Sequence, residues 1–387
     1  MAIAAAMVVG ACGGDEPLGD GAPTCGMPRG DGPHLPPEGA VCDRLSEHRL
    51  ISLDHQGRVV LGEGPLPFAP SSALFSDYAH KTRTVWIPPG ESARLTDRGP
   101  LDLPVGTMVT KTFAFPQDLR EPDRSLRVIE TRLLIRRQDG WRAFPYIWDE
   151  AQTEAYHAPV GATVPVRWIH TDGTERSTDY VVPNRNQCIE CHGRTHPETG
   201  RKELQPIGLK AKHLNGELDY GPFFPGEGSQ NQLGRWEEAG YLTGVPADLG
   251  SVPRLPAWDD PASGTLHERA RAYLDINCGH CHGEGGSAAH TGLWMESEVQ
   301  DPLRWGVCQG REPEDPTVAV LPIVPGRPDA SRILARMDTT GRDRMPRLGR
   351  TVVHDEGVAL IRDWIEWLGT EEAVAALGLD DPRLGCF

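Results

Sequence analysis

Two short stretches constrain this chain more than any other feature: Cys188-Ile189-Glu190-Cys191-His192 and Cys278-Gly279-His280-Cys281-His282. Each is a C-x-x-C-H run, the attachment signature of c-type haem. Two thiols at this spacing can add across the two vinyl groups of one haem, and the following histidine can supply an axial nitrogen to the iron. The sequence therefore predicts two haem c groups, with attachment at Cys188, Cys191, Cys278 and Cys281 and proximal ligands at His192 and His282.

Zinc binding and dithiol chemistry are the alternatives for these cysteines. Two Cys pairs that share one zinc ion are usually about 15–20 residues apart. Here about ninety residues separate the pairs. Zinc also gives no reason for both pairs to end in histidine, so the pattern favours haem.

Length and charge limit the remaining possibilities. A chain of 387 residues has room for two or three domains with their own cores. Its formal net charge of −16 argues against nucleic-acid binding, which needs a basic surface. An acidic surface suits a soluble protein that docks to redox partner proteins.

The N-terminal segment predicts export. Residues 1–12 are apolar, and Val9-Gly10-Ala11-Cys12 resembles the lipobox of bacterial lipoproteins, in which the cysteine is lipidated. An ordinary signal peptide cut nearby is the alternative. Residues 13–40 are rich in Gly, Pro and Asp and are expected to form a flexible tether. We therefore expect a periplasmic or outer-membrane lipoprotein that contacts the membrane only through its anchor.

Four further cysteines remain, and an even number in an exported protein indicates disulfides. We favour the pairs Cys25–Cys42 and Cys308–Cys386, although four cysteines can pair in more than one way. Free thiols are the alternative.

Residues 41–182 are predicted to be mainly β. Seven runs rich in β-branched and aromatic residues alternate with Gly, Pro and Asp: 58–61, 84–87, 105–115, 127–136, 141–148, 164–169 and 180–182. Asp139-Gly140 between two apolar runs is a strong hairpin signal, since both turn positions favour positive φ. The pattern indicates an antiparallel, β-sandwich-like domain.

Residues 183–255 carry the first haem motif, and the second axial ligand of that haem is open. No methionine occurs between Met108 and Met295. His196 is only four residues after His192, which is too close for it to bind the opposite face of the same haem. His213 has the reach and is the favoured ligand, ahead of His170 and His80. An open or water-bound iron is the alternative.

Residues 256–387 are predicted to form a helical haem domain. Thr265 and Glu268 form a capping box that opens a helix leading to Cys278, and a final helix follows Asp355. Helix, C-x-x-C-H, loop, Met and terminal helix is an order that resembles class I cytochromes c. That resemblance assigns the distal ligand of the second haem to Met345, with Met337 as the rival. The expected fold is therefore α+β and multidomain, with a β-sandwich-like domain, a haem segment and an all-α cytochrome c domain.

Many separated stretches also resemble one known family, the exported bacterial di-haem c-type cytochromes with an N-terminal β region. These stretches are 74–78, 104–107, 111–116, 130–134, 182–184, 186–188, 206–208, 273–278 and 345–349. Members of this family are often found beside a parallel β-helix protein, which the resemblance implies as a partner.

The expected function is single-electron transfer through two covalently bound haems. The rival is a di-haem peroxidase or oxidase with an open site on the first haem, and a haem-based sensor ranks last because no output domain is visible. The sequence favours an electron-transfer protein over an enzyme without deciding between them.

Overall fold

The computed structural model describes residues 24–28, 30–96, 99–196, 199–310 and 321–385. Cys12, Cys386 and residues 13–23 of the expected tether lie outside these ranges. The strands are Ile51–Leu53 (β1), Val59–Leu61 (β2), Leu66–Pro67 (β3), His80–Trp86 (β4), Ala93–Arg94 (β5), Met108–Pro116 (β6), Leu126–Arg137 (β7), Gly140–Trp148 (β8), Ala155–His157 (β9), Ala162–Ile169 (β10), Glu175–Val182 (β11), Gly193–Thr195 (β12), Lys202–Leu204 (β13), Glu217–Asp219 (β14), Ser229–Asn231 (β15) and Leu242–Thr243 (β16). The helices are Arg185–His192 (α1), Ala211–Leu214 (α2), Gln232–Glu238 (α3), Leu266–Leu274 (α4), Pro302–Trp305 (α5), Arg332–Met337 (α6), Asp355–Leu368 (α7) and Glu371–Leu377 (α8).

A six-stranded antiparallel sheet in the order β3-β4-β6-β7-β8-β9 dominates the N-terminal half. The β7–β8 hairpin is present, but Arg137 pairs with Gly140, so the tight turn is Gln138-Asp139. Gly140 opens β8 with φ +122°, a conformation that a glycine adopts without a Cβ penalty. The turn therefore begins one residue earlier than the Asp-Gly signal indicates.

Both faces of this sheet are buried because apolar residues occupy both alternating sets of positions. One face presents a row formed by Val85, Val109, Leu134 and Ala143 to a core that includes Cys188. The other face packs Trp86, Met108, Leu133 and Phe144 against the N-terminal residues. The first C-x-x-C-H motif therefore packs directly on the sheet.

The predicted sandwich is replaced by this sheet and a separate two-stranded ribbon. Strands β10 and β11 pair with each other, and Ile169 at the end of β10 also forms a bridge to Asp118. Trp168 and Tyr180 of the ribbon pack on Phe113 and Phe115 of β6.

The predicted all-α class I cytochrome c domain is wrong. The molecule is mostly β, and in the described part of residues 256–385 only α4 and α7 exceed eight residues. The capping box of Thr265 and Glu268 does open α4, and Asp355 begins α7. Between them, residues 275–310 and 321–354 form turns and helices of three to six residues, because their many Gly and Pro residues stop helix propagation.

The C-terminal helices are also joined to the sheet region by specific contacts. The Asp77 carboxylate accepts hydrogen bonds from the Thr351 and Val352 amides, at 2.6 and 3.0 Å. The Phe75 amide donates to Asn277 Oδ1 at 2.8 Å. These bonds hold the segment before α7 and the end of α4 against the loop that precedes β4.

Cys25 and Cys42 form a disulfide with a Cα–Cα distance of 4.7 Å. This bond holds the end of the expected tether beside β8, where the Tyr146 hydroxyl donates to the Cys42 carbonyl. Cys308 is disulfide-bonded as well, while the partner proposed for it, Cys386, lies outside the described residues.

Within the described ranges, none of the helices has both the length and the apolar character needed to cross a bilayer.

Candidate functional site

The first C-x-x-C-H motif forms the last turn and a half of α1. Asn184 caps this helix and exchanges hydrogen bonds with Gln187, so the helix begins at a fixed position three residues before Cys188. Cys188 is buried against the sheet, and Cys191 and His192 are partly exposed. A C-x-x-C spacing on a helix places both thiols on neighbouring positions of one face.

The His192 ring is oriented by the backbone. Its Nδ1 lies 2.8 Å from the Gln205 carbonyl, so the N–H donates there and leaves Nε2 with its lone pair. Burial lowers the pKa of His192 to about 4, so the ring is neutral at pH 7. A neutral imidazole whose other nitrogen donates to a carbonyl is the usual form of an axial or metal-bound histidine.

A first cleft of about 390 Å³ lies beside this motif. The residues that line it include Cys191, His192, Gln205, Ile207, Gly208, Lys210, His213, Ile276 and His280. His192 and the predicted distal ligand His213 therefore border the same space. His280, from the second motif, also lines this cleft. The sequence argument gave His280 no role, although its position inside C-G-H-C-H was a signal that could have singled it out.

His213 is held by a buried acidic residue. Its Nε2 lies 3.1 Å from Asp275 Oδ1, and its Nδ1 is buried without a hydrogen-bond partner among the described residues. Burial acts to raise the pKa of Asp275, but the His213 hydrogen bond and the His213 and Lys212 charges outweigh it and hold that pKa well below its usual range. An unpartnered imidazole nitrogen is costly inside a protein and suits a ligand position.

The second motif follows α4 through a π-helical turn, Asp275–Gly279. Cys278 lies in this turn and is partly buried, and burial raises the pKa of its thiol to about 12. Cys281 and His282 follow in a non-helical loop, with the amides of both bonded to the Cys278 carbonyl. The π turn widens the helix at the point where the motif begins.

A second cleft of about 320 Å³ borders Cys278. Both candidate methionines line it, together with Phe75, Tyr273, Asn277, Pro346, Arg350, His354 and Val358. Met345 and its rival Met337 therefore both lie in the cleft beside Cys278. His282 is not part of this lining, and its Nδ1 lies 3.3 Å from the Thr291 hydroxyl.

The Met345 loop is fixed by Arg350, a residue that the sequence argument missed. The guanidinium donates to the Met345 carbonyl through Nε and Nη2, at 3.1 and 2.9 Å. It also donates to the carbonyls of Val352, Arg336 and Thr339, at 2.9–3.0 Å. Arg350 is 4% exposed, so these bonds are made away from solvent.

The two motifs lie side by side. The sulfur atoms of Cys191 and Cys281 and a ring nitrogen of His280 lie within 4.8 Å of one another. The hydrogen bond between the two thiols lowers the pKa of Cys281 and raises the pKa of Cys191. The Thr195 amide donates to the Gly285 carbonyl at 2.7 Å, which ties together the segments that follow the two motifs.

These donors can be tested against the two cofactors considered. Cys191, His280 and Cys281 supply three zinc ligands, but this set leaves out Cys188, Cys278, His192 and His282. Structural zinc sites are closed by four ligands. Two haem groups would use all four thiols and the free Nε2 of His192. One cleft borders Cys191 and His192 and the other borders Cys278, while Cys188, Cys281 and His282 line neither. The donor set therefore suits haem better than a single zinc ion.

The remaining histidine candidates lie elsewhere. His170 is buried beside Tyr78 and Trp168, and its Nε2 is 3.7 Å from Glu356. His80 begins β4. Neither lines the first cleft.

Comparisons of the chain with protein-family models, with curated proteins and with solved structures found no match.

Proposed function

We propose that this protein is a di-haem c-type cytochrome that transfers single electrons. One observation carries the proposal: the two C-x-x-C-H motifs lie side by side, with one cleft beside Cys191 and His192 and a second beside Cys278. Proximity of this kind suits electron exchange between two cofactors, whereas Cys191, His280 and Cys281 are one ligand short of a closed structural zinc site.

The haem irons would supply the redox chemistry. The chain would supply the attachment sites, the axial ligands and the local dielectric environment. Cys188, Cys191, Cys278 and Cys281 would hold the two groups as thioethers. His192 would bind the first iron through Nε2, with Gln205 fixing its ring. His213 is proposed opposite it, positioned by Asp275.

For the second haem, His282 is proposed as the proximal ligand and Met345 as the distal one. Arg350 would hold the Met345 backbone beside the second cleft. A thioether ligand favours ferrous iron, so the second haem would have the higher potential and would accept electrons from the first.

Export, a lipid anchor at Cys12 and docking to redox partner proteins belong to the same proposal. The Cys25–Cys42 disulfide supports an oxidising compartment outside the cytoplasm. The net charge of −16 supports a basic partner surface, and a neighbouring parallel β-helix protein is one such candidate.

The test is a count of haem and zinc on protein co-expressed with haem-attachment machinery. Pyridine haemochrome should give two haems per chain and elemental analysis no stoichiometric zinc. A Cys188→Ser/Cys191→Ser variant and a Cys278→Ser/Cys281→Ser variant should each retain one haem. The matched control is Cys25→Ser/Cys42→Ser, which removes a cysteine pair outside the motifs and should retain two.

Low-temperature electron paramagnetic resonance of the same samples tests the ligands. Two low-spin signals are expected in the wild type, and His213→Ala should convert one of them to high spin, whereas His196→Ala should not. One high-spin haem in the wild type would favour the peroxidase instead. Fewer than two haems on fully matured wild-type protein would contradict the proposal.

A further inference from the structure

Three basic residues lie directly opposite one another on three neighbouring strands of the main sheet. Arg83 on β4 pairs with Lys111 on β6, and Lys111 pairs with Arg132 on β7. Directly paired residues project from the same face of a sheet. Lys81 lies two residues from Arg83 and therefore shares that face. We call these four residues the cationic cluster.

One carboxylate, Glu130, accompanies the cluster. Both of its oxygens bind Arg132, at 2.6 and 2.8 Å, and the Tyr180 hydroxyl donates to it at 2.6 Å. Among the residues that the structure describes, no carboxylate lies within ion-pair distance of Lys81, Arg83 or Lys111. The cluster therefore has more positive than negative charge.

This excess charge lies in poorly solvated surroundings. Arg83 is 7% exposed, and the Arg132 guanidinium and the Lys111 ammonium lie 4.3 and 4.8 Å from the centre of the Phe113 ring. Burial lowers the pKa of Lys111 well below its usual range and that of Lys81 to about 7. Lys81 and Lys111 are partly exposed, and Lys81 Nζ donates to the Leu74 carbonyl at 2.6 Å. Like charges paired across strands are unfavourable, and neither this bond nor the Phe113 ring supplies a counter-ion.

The cluster adjoins the first haem motif. Cys188 packs in the core on this same face of the sheet. This core also contains Val85, Val109 and Leu134, and each of them lies two residues along its strand from a member of the cluster. A ligand attached at this motif would therefore lie within the field of the cluster.

We propose that Lys81, Arg83 and Lys111 form a binding site for paired carboxylates, and that its occupant is the two propionates of the haem attached at Cys188 and Cys191. The inference rests on the proposed function, since it names where the side chains of that haem would go. A free small dicarboxylate presents the same chemistry, and the experiment separates the two sources. Basic side chains bind carboxylates through charge-assisted hydrogen bonds, which are strong where solvent is excluded.

The test compares matured wild-type protein with Lys111→Met and Lys81→Met. Each change removes one cation while keeping an unbranched side chain. The matched control is Arg142→Met, on the opposite face of β8 and bound to Asp139. Four quantities are measured with and without added succinate. They are the haem content, the thermal midpoint of unfolding, the haem propionate bending bands in resonance Raman spectra and the midpoint potentials of both haems.

The expected result is a shifted propionate band, a lower potential for the first haem only and a lower thermal midpoint in both cluster variants. The potential falls because a nearby cation favours the reduced iron. The control should show none of these changes, and succinate should have no effect on the wild type.

Other outcomes decide against this assignment. Succinate that raises the wild-type thermal midpoint but not that of Lys111→Met, with unshifted Raman bands, would make a free dicarboxylate the occupant. A raised thermal midpoint in the cluster variants, with unshifted Raman bands, would mean that no anion is bound there and would overturn the site. The reason is that removing an unpaired buried charge stabilises a fold. Wild-type protein with no haem at Cys188 and Cys191 would overturn the proposed function and the propionate assignment together. If the haem content is normal, a negative result in the other measurements counts against the propionate assignment alone.

Discussion

Hydrogen-bonding groups position the candidate ligand residues around each cleft. The backbone carbonyl of Gln205 accepts from His192, the buried Asp275 carboxylate binds His213, and the buried Arg350 guanidinium donates to four carbonyls around Met345. These partners restrict the candidate ligand residues before any cofactor is bound.

Replacement of Arg350 by lysine should release the Met345 loop. Lysine offers three donors on one atom and cannot span the same carbonyls, so buried acceptors lose their partners. We expect a loss of about 2–3 kcal/mol in the free energy of unfolding, measured by urea titration. In the matured protein the sulfur-to-iron charge-transfer band of a methionine-bound haem should weaken as well.

The exposed Arg342 supplies the control, and Arg342→Lys should leave both stability and the band unchanged. An Arg350→Lys protein as stable as the wild type would show that the loop does not depend on the guanidinium.

At the scale of elements, the two motif segments are joined by a close backbone approach. A Cβ on Gly285 would lie 2.7 Å from the Thr195 carbonyl oxygen, shorter than ordinary contact, and Gly285 has φ +72°. Glycine is therefore required at this position both by conformation and by the space available.

Gly285→Ala should separate these segments and lower stability by more than conformational strain alone. Left-handed strain costs about 1–2 kcal/mol for a residue with a Cβ, and the contact adds to it. Gly200→Ala is the matched control, because Gly200 has φ +63° and open space around its Cβ position. Thermal unfolding should show a clearly larger loss for Gly285→Ala, and equal losses would mean that the segments adjust without cost.

At the scale of the whole molecule, one buried ionic group links the segment after the first C-x-x-C-H motif to the second motif. Lys212 lies in α2 and binds Asp275 in the π turn after α4, and it also binds Glu298 at 2.6 Å. Lys212 and Asp275 are 5% and 4% exposed, while the Glu298 side chain is 45% exposed. The two halves of the site therefore share a charge pair that is shielded from water.

Asp275→Asn should destabilise the whole chain, because it leaves the Lys212 charge without its buried partner. Breaking a buried pair in this way typically costs about 3–5 kcal/mol. Glu298→Gln removes the exposed partner of the same lysine and should cost under about 1 kcal/mol. Urea unfolding followed by tryptophan fluorescence measures both, and similar losses in the two variants would contradict the assigned difference.

The sequence predicted local features and missed those that depend on pairing. The β7–β8 hairpin and the capping box of α4 are local, since each depends on residues within a few positions of one another. The row of Arg83, Lys111 and Arg132 depends on strand register, which no spacing along the chain reveals. Likewise, Cys191 and Cys281 are about ninety residues apart, so their proximity follows only from tertiary structure.

The error in the C-terminal region has a related cause. The apolar spacing of α4 and α7 is truly helical, and both helices form. The order of motif, loop and methionine matched a known arrangement, but order along a chain does not determine how the intervening residues fold. About sixty residues rich in Gly and Pro separate the motif from Met345, and those that the structure describes form turns and very short helices instead.

The proximity of Cys191 and Cys281 also limits the order in which such a protein can be made. In an oxidising compartment, two thiols this close can join before either has reacted with a cofactor. One such crosslink takes a sulfur from each motif, so a single error disables both attachment reactions. For a di-haem protein, cofactor attachment must therefore come before the two segments meet, and premature folding would yield a stable chain that can no longer mature.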